Sequence, residues 1–559
     1  MEHATNSDVS GLAGDNPQQG PTSFRQRPAT AARIGCQLIC DGPGTLGRRK
    51  PGGTDMDSII TLSSGQVRGA VADGVHVFRG IPYAAPPVGA NRWQPPQPAA
   101  AWDGVRDATA NALIVLQPPM PPPFGGDLPP AGDDCLNLNV WTPDTTATGL
   151  PVLVWIHGGA FVSGSGIEPT YDGASFARQG VVCVTINYRL GAEGFLHLAD
   201  HFEQFADAGN LGILDQVAAL RWVRDNIAGF GGDPGRVTIA GESAGAMSVG
   251  TLLATPSAGG LFQQAVLQSG AGHNGISAPT ASRIAGHLLE LLGVAPGDLD
   301  ALQRVTPAQL LDAQVALSAE IQTTRNPERF GEAANSAMPF QPTYGTAVVP
   351  QRPIDAVAAG SAAGVSMLIG TTMEESLVFV VAMQDMFNDE MVALTLDVVF
   401  AGAGAAALDQ YRGSRPTAAP HEIVAAVETD RMFRVPAVRM ADAQSALNPN
   451  VWMYRFDWRT PILGGAFGAC HALELAFVFN TLQSEMAATF NGPDAPQSVA
   501  DAMHAAWAHF AANGEPGHAG LPEWPRYGAA QRATMLFDEA CALVNHPGAA
   551  ELALWDGVI

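Results

Sequence analysis

The sequence predicts an α/β fold. A mostly parallel, twisted central sheet is flanked by helices, with an antiparallel N-terminal portion and helical insertions. Three observations predict it. Short apolar runs rich in β-branched residues recur at 151–157 (PVLVWIH), 180–188 (GVVCVTINY), 236–241 (RVTIAG), 264–270 (QAVLQSG), 366–372 (SMLIGTT) and 451–456 (VWMYRF). Between two of them, 212–232 (GILDQVAALRWVRDNIAGFGG) has helical spacing and ends on glycines. Such alternation builds parallel strands joined by crossover helices. Finally, 56–83 (MDSIITLSSGQVRGAVADGVHVFRGIPY) reads as antiparallel strands separated by glycine turns.

The elements follow in order. Residues 1–55 are rich in Gly, Pro, Ser, Thr, Asn and Gln and carry no sustained periodicity. They are expected to be a disordered extension, with 56–559 as the folded domain. Prolines crowd 117–134 (QPPMPPPFGGDLPPAGDD). They forbid helix and inner strand, so a surface loop is expected. The span 271–365 breaks the βα rhythm with Ala, Leu and Gln. It is expected to be a helical insertion over the sheet that, with the 117–134 loop, sets the size of a pocket.

Net charge is −24. That argues against a nucleic-acid partner. No apolar run of membrane-spanning length is present, and the N-terminus has no secretory pattern. The six cysteines, at 36, 40, 135, 183, 470 and 541, form no metal-binding pattern. Reduced, buried thiols in a cytoplasmic protein are expected.

Candidate chemistry begins at "VTIAGESAGAMSVG", 237–250. Gly241-x-Ser243-x-Gly245 sits between a strand and a helix start. There a serine is held in a strained turn with its hydroxyl exposed. A serine nucleophile needs a base, a carboxylate to orient that base, and donors for the oxyanion. Of the downstream histidines, His471 stands apart. It follows a glycine-rich loop and precedes an apolar helix start in "GGAFGACHALELAFVF". For the acid, Glu374 and Glu375 follow a buried strand in "LIGTTMEESLVF". Either can serve, since active-site groups gather at that edge of a sheet. In "WIHGGAFVSGSG", Gly158, Gly159 and Ala160 follow another strand and are candidates for backbone oxyanion donors.

These pieces, with "FRGIPYAAPPVGANRWQPPQP", "DDCLNLNVWTP", "VTINYRLGAEGFL" and "GNLGILDQVAALRWVRDNIAGFGGDPGRVTIAGESAGAMSVG", resemble the type B carboxylesterases over about residues 59–559. That is the cholinesterase-like family of the α/β-hydrolase fold, and the likeness is greatest to its bacterial para-nitrobenzyl esterase branch. The resemblance implies hydrolysis of a small-molecule ester through an acyl-enzyme, with no cofactor or metal; the alternatives are a carbamate or amide hydrolase on the same triad, or a non-catalytic cholinesterase-like binding scaffold. A monomer or weak homo-oligomer is expected.

Carried over by residue, it implies Ser243 as nucleophile, His471 as base and Glu375 as acid. It implies Gly159, Ala160 and Ala244 as oxyanion donors, with Gly158, Glu242 and Ser269 in support. Arg189–Asp215 and Arg92–Asp133 are the implied structural ion pairs. The family's Asp-Glu-Gly is Glu374-Glu375-Ser376 here, which leaves a one-residue register alternative at the acid. The usual partner of Cys135 is replaced by Val115, so a free thiol is expected. No aromatic-rich gorge is evident, which argues against a choline substrate. Phe379 and Phe477 are candidate pocket residues.

Overall fold

The computed structural model describes residues 58–119 and 128–558. The expected disorder of 1–55 lies outside the described residues, as does the part of the proline-rich segment at 120–127. Thirteen strands form one sheet. Its centre is parallel. In spatial order it runs Val182–Ile186, Leu150–Ile156, Gly232–Glu242, Gln264–Gln268, Ser366–Thr372, Val451–Phe456 and Ala533–Phe537. The N-terminal strands Ser58–Leu62, Gly65–Ala72, Val75–Pro82 and Asn137–Thr142 join one side antiparallel. Ala542–Asn545 closes the other edge, again antiparallel.

The central strands are apolar without alternation because helices cover both faces. Val182–Ile186 is buried throughout, and Leu150–Ile156 is buried after its first residue. From Leu150–Ile156 the chain passes to Val182–Ile186 on one side. It then returns to Gly232–Glu242 on the other. The direction of winding reverses at that point, so a crevice opens beyond the carboxyl ends of the strands. Ile156, Glu242 and Thr372 end strands at this edge.

The helix Leu211–Asn226 runs into a short turn and stops at Gly231, whose φ of 84° a residue with a side chain adopts only under strain. The segment 271–365 is helical as expected. A two-stranded pairing of Ile276–Ser277 with Thr343–Tyr344 ties its start to a point before its last helix. Asn137–Thr142 was not legible as a strand. Two asparagines in it disfavour strand by composition, and only burial between neighbours decides it.

Arg189 and Asp215 form a fully buried ion pair, with Nη2 at 2.7 Å and Nε at 2.8 Å. Arg92 departs from expectation. Its guanidinium lies 4.0 Å from the centre of the Trp93 ring and pairs with Glu193 at 2.6 Å, not with Asp133. Stacking on Trp93 aims Arg92 at the short helix Gly191–Phe195, while Asp133 stays exposed in its loop. Cys135 is a buried free thiol.

Candidate active site

Ser243 caps the helix Ala244–Leu252 directly after the strand ending at Glu242, with φ 55° and ψ −125°. The glycines permit that turn. A Cβ on Gly245 would lie 2.0 Å from the Ile156 carbonyl oxygen, and one on Gly241 would lie 2.5 Å from the Gly245 backbone. Gly158 is equally confined. A Cβ there would lie 2.8 Å from the Glu242 carbonyl oxygen and 3.0 Å from the Ser243 Cβ. The strain at Ser243 is held by close packing of two strands and a helix start.

The loop after Ile156 is oriented by its carbonyls. Nδ1 of His157 lies 2.8 Å from the Gly158 oxygen. Burial lowers the His157 pKa to about 4, so the ring is neutral and donates from Nδ1. The Gly159 oxygen accepts from Val162 N, Ser163 N and Ser163 Oγ, each at 3.0 Å. Peptide planarity then turns the N–H groups of Gly159 and Ala160 to the opposite side. Among the described residues neither donates to the protein, nor does the N–H of Ala244 at the helix start.

Gly158, Gly159, Ala160, Glu242, Ser243 and His471 line one cavity of about 290 Å³. His471 sits between two carboxylates. Nδ1 donates to Glu375 Oε2 at 2.7 Å, and Nε2 faces Glu242 Oε1 at 3.1 Å. Glu375 is fully buried and also accepts the Thr372 N–H at 2.8 Å. Burial alone would lower the His471 pKa. The Glu242 charge and the Glu375 hydrogen bond outweigh it and raise the pKa to about 9. Burial raises the Glu242 carboxyl to about 8, against the pull of His471.

Glu374 does not reach His471. It pairs with Arg459, and its Oε2 accepts the Ala469 N–H at 3.0 Å. It is therefore engaged rather than solvent-facing, because the turn at 373–376 lays it against the loop that carries His471.

A sequence profile described as the carboxylesterase family matches residues 56–555. The chain belongs to the carboxylesterase family. It is a carboxylic ester hydrolase of the α/β-hydrolase fold. It is 41% identical over 495 residues to the para-nitrobenzyl esterase of Bacillus subtilis (strain 168), covering 88% of this chain and 96% of that one. To the phenmedipham hydrolase of Pseudarthrobacter oxydans it is 36% identical over 504 residues, covering 87% and 96%. A crystal structure of a Geobacillus stearothermophilus carboxylesterase superposes with a TM-score of 0.78 at 41% identity, covering 89% of this chain and 99% of that one.

Two expected site residues of the carboxylesterase sit elsewhere. Phe477 is fully buried between Phe456 and Trp458, at ring distances of 5.1 and 5.2 Å, and is core. Ser269 has φ 52°, and its buried hydroxyl finds no partner among the described residues, so it does not join the His471 network. Phe379 does line the cavity, 44% exposed, with its ring 5.4 Å from that of His471. No lining residue comes from 271–365. Among the described residues the wall comes instead from Ile114, Gln117, Leu128 and Pro129, from residues within 158–171, from Glu242, Ser243 and Phe379, and from His471, Leu475 and Phe490 with their neighbours, so the insertion does not set the size of this cavity.

Sequence reasoning missed Glu474, Gln268 and Trp507. The Trp507 indole donates to Gln268 Oε1 at 2.7 Å, and Gln268 Nε2 donates to Glu474 Oε1 at 3.1 Å, all buried. Glu474 lies three residues after His471, and that spacing was the available signal. Gln268 and Trp507 are distant in sequence and carried none. Among the described residues no helix alone is long and apolar enough to cross a membrane, and no group of three or more His, Cys, Asp or Glu is placed to hold a metal.

Proposed function

We propose that the carboxylesterase hydrolyses small-molecule esters through an acyl-enzyme on Ser243. The observation that carries this reading is the shared cavity. It presents the Ser243 turn, the Glu375-held imidazole of His471 and the free N–H groups of Gly159 and Ala160 in one wall.

His471 acts as the base. Its Nδ1–H is fixed on Glu375, which leaves Nε2 as the proton acceptor. In the resting arrangement Nε2 faces Glu242, the residue adjacent to Ser243. It turns to the serine hydroxyl when substrate binds, and Oγ attacks the ester carbonyl. Negative charge then builds on the carbonyl oxygen. The N–H groups of Gly159, Ala160 and Ala244 receive it, and each such donor is worth about 3–4 kcal/mol in the transition state. Glu375 stabilises the imidazolium without taking its proton. His471 next protonates the leaving alcohol, and the same imidazole activates water to release the acid.

Ser243→Ala tests this. Turnover of a chromogenic short-chain aryl ester should vanish with the melting temperature unchanged. An organophosphate should label the wild-type protein at Ser243 alone. Turnover above a few per cent, or labelling at another residue, overturns the assignment.

A further inference from the structure

The same cavity contains a second acidic side chain that this chemistry does not use. Glu168 stands in its wall beside Ile167, Pro169 and Tyr171. Much of the surrounding wall is apolar, with Ile114, Leu128, Leu475 and Phe490.

The Glu168 carboxylate is poorly supported. One oxygen accepts the Ser165 N–H at a long 3.3 Å. Among the described residues no cation pairs with it. Arg79 lies in the wall of an adjoining cavity of about 240 Å³, which Glu168 also lines, but Arg79 is taken by Asp172 at 3.7 Å. Residues 120–127 contain no Lys or Arg. Glu242, by contrast, has His471 at 3.1 Å. Burial raises the Glu168 carboxyl to about 7. Glu168 is half-buried at the cavity wall, and a carboxylate with so few partners in a largely apolar wall is stabilised when a ligand supplies the missing positive charge.

We propose that Glu168 selects for positively charged esters, holding a substrate ammonium group while the ester carbonyl lies at Ser243. The inference rests on the esterase reading given above. Recognition is by charge and not by an aromatic cage. Neutral isosteres bind the same wall without the ion pair, and anionic esters are rejected. The net charge of −24 draws cationic substrates in the same direction.

Two matched substrate pairs test it, at about pH 8.5, where the carboxylate is ionised. One pair varies the alcohol: acetylcholine against the ester in which a tert-butyl group replaces the trimethylammonium. The other varies the acyl chain: the p-nitrophenyl ester of trimethylammonio-butyrate against its tert-butyl isostere. The wild-type protein should favour the charged member of at least one pair by about tenfold or more in kcat/KM, the size of a charge-assisted contact. Glu168→Gln should bring that ratio near unity, and Glu168→Asp should leave an intermediate ratio. The proposal is overturned if neither pair shows a preference in the wild-type protein. It is equally overturned if the preference survives in a folded Glu168→Gln protein. Failure of the wild-type protein to hydrolyse any of the four esters would instead count against the esterase reading.

Discussion

Gln117 pairs with Gly164 as one strand pairs with another. Its side-chain oxygen accepts the Gly164 N–H at 2.6 Å, and its side-chain nitrogen donates to the Gly164 oxygen at 3.0 Å and to the Val115 oxygen at 3.1 Å. Gly164 belongs to the same loop as Gly159 and Ala160. The amide thus ties the segment at 114–117, where no disulfide joins position 115 to Cys135, to the loop that carries the proposed oxyanion donors.

Breaking that tie should act on the transition state more than on substrate binding. Gln117→Leu is expected to lower kcat by about tenfold to a hundredfold, less than the full loss of one oxyanion donor. KM should move little. Affinity for a trifluoromethyl ketone, which mimics the oxyanion, should fall by the same factor as kcat. A rise in KM with kcat unchanged would show that Gln117 shapes the pocket and not the oxyanion loop.

The two adjacent glutamates should behave differently. Glu375→Gln removes the carboxylate on Nδ1 of His471 and should cut the acylation rate by several orders of magnitude, on the order of 10⁴ by analogy with a serine triad. Glu374→Gln keeps an acceptor for the Ala469 N–H but loses the charge on Arg459. It should change the rate by less than about tenfold, with a small drop in melting temperature. Pre-steady-state acylation kinetics of both variants decide this. Exchanged phenotypes would mean that Glu374 is the acid.

Activity should depend on pH well above the ordinary range of a histidine. In the proposed reaction His471 must be neutral to accept the serine proton. Its pKa is raised from 6.5 to about 9, so kcat/KM should already decline as pH falls through that region. His471 and Glu242 face each other at 3.1 Å, so the protonation state of one acts on the other. Glu242→Gln removes the leading charge that raises His471 and should move the midpoint to lower pH. A wild-type midpoint near 6.5, with no shift in the variant, contradicts this.

The N-terminal segment should be dispensable. Too few apolar residues lie in 1–55 to offset a backbone ordering cost of ~1–2 kcal/mol per residue. A protein that begins at Met56 should retain its specific activity and its melting temperature. A drop of several degrees in calorimetry would show that the segment docks on the domain.

The alternation of strands and helices, the family and the places where chemistry could occur are legible in the order of residues. Local pattern carries that information. β-branched runs mark buried strands, and Gly241, Ser243 and Gly245 bracket a turn whose tightness is a property of a few adjacent residues. The tertiary structure decided which side chains meet. Glu374 and Glu375 are neighbours with the same chemistry. Only the turn at 373–376 sends one to His471 and the other to Arg459. Phe477 and Phe379 read alike in sequence, yet one packs between Phe456 and Trp458 while the other faces the cavity. Arg92 meets Glu193 because a Trp93 ring guides it there. Glu168 and Gln117 carried no sequence signal at all, since what sets them apart is a carboxylate without a cation and an amide matched to a distant backbone. Such relationships arise from packing between segments far apart in the chain, and periodicity and composition do not encode them.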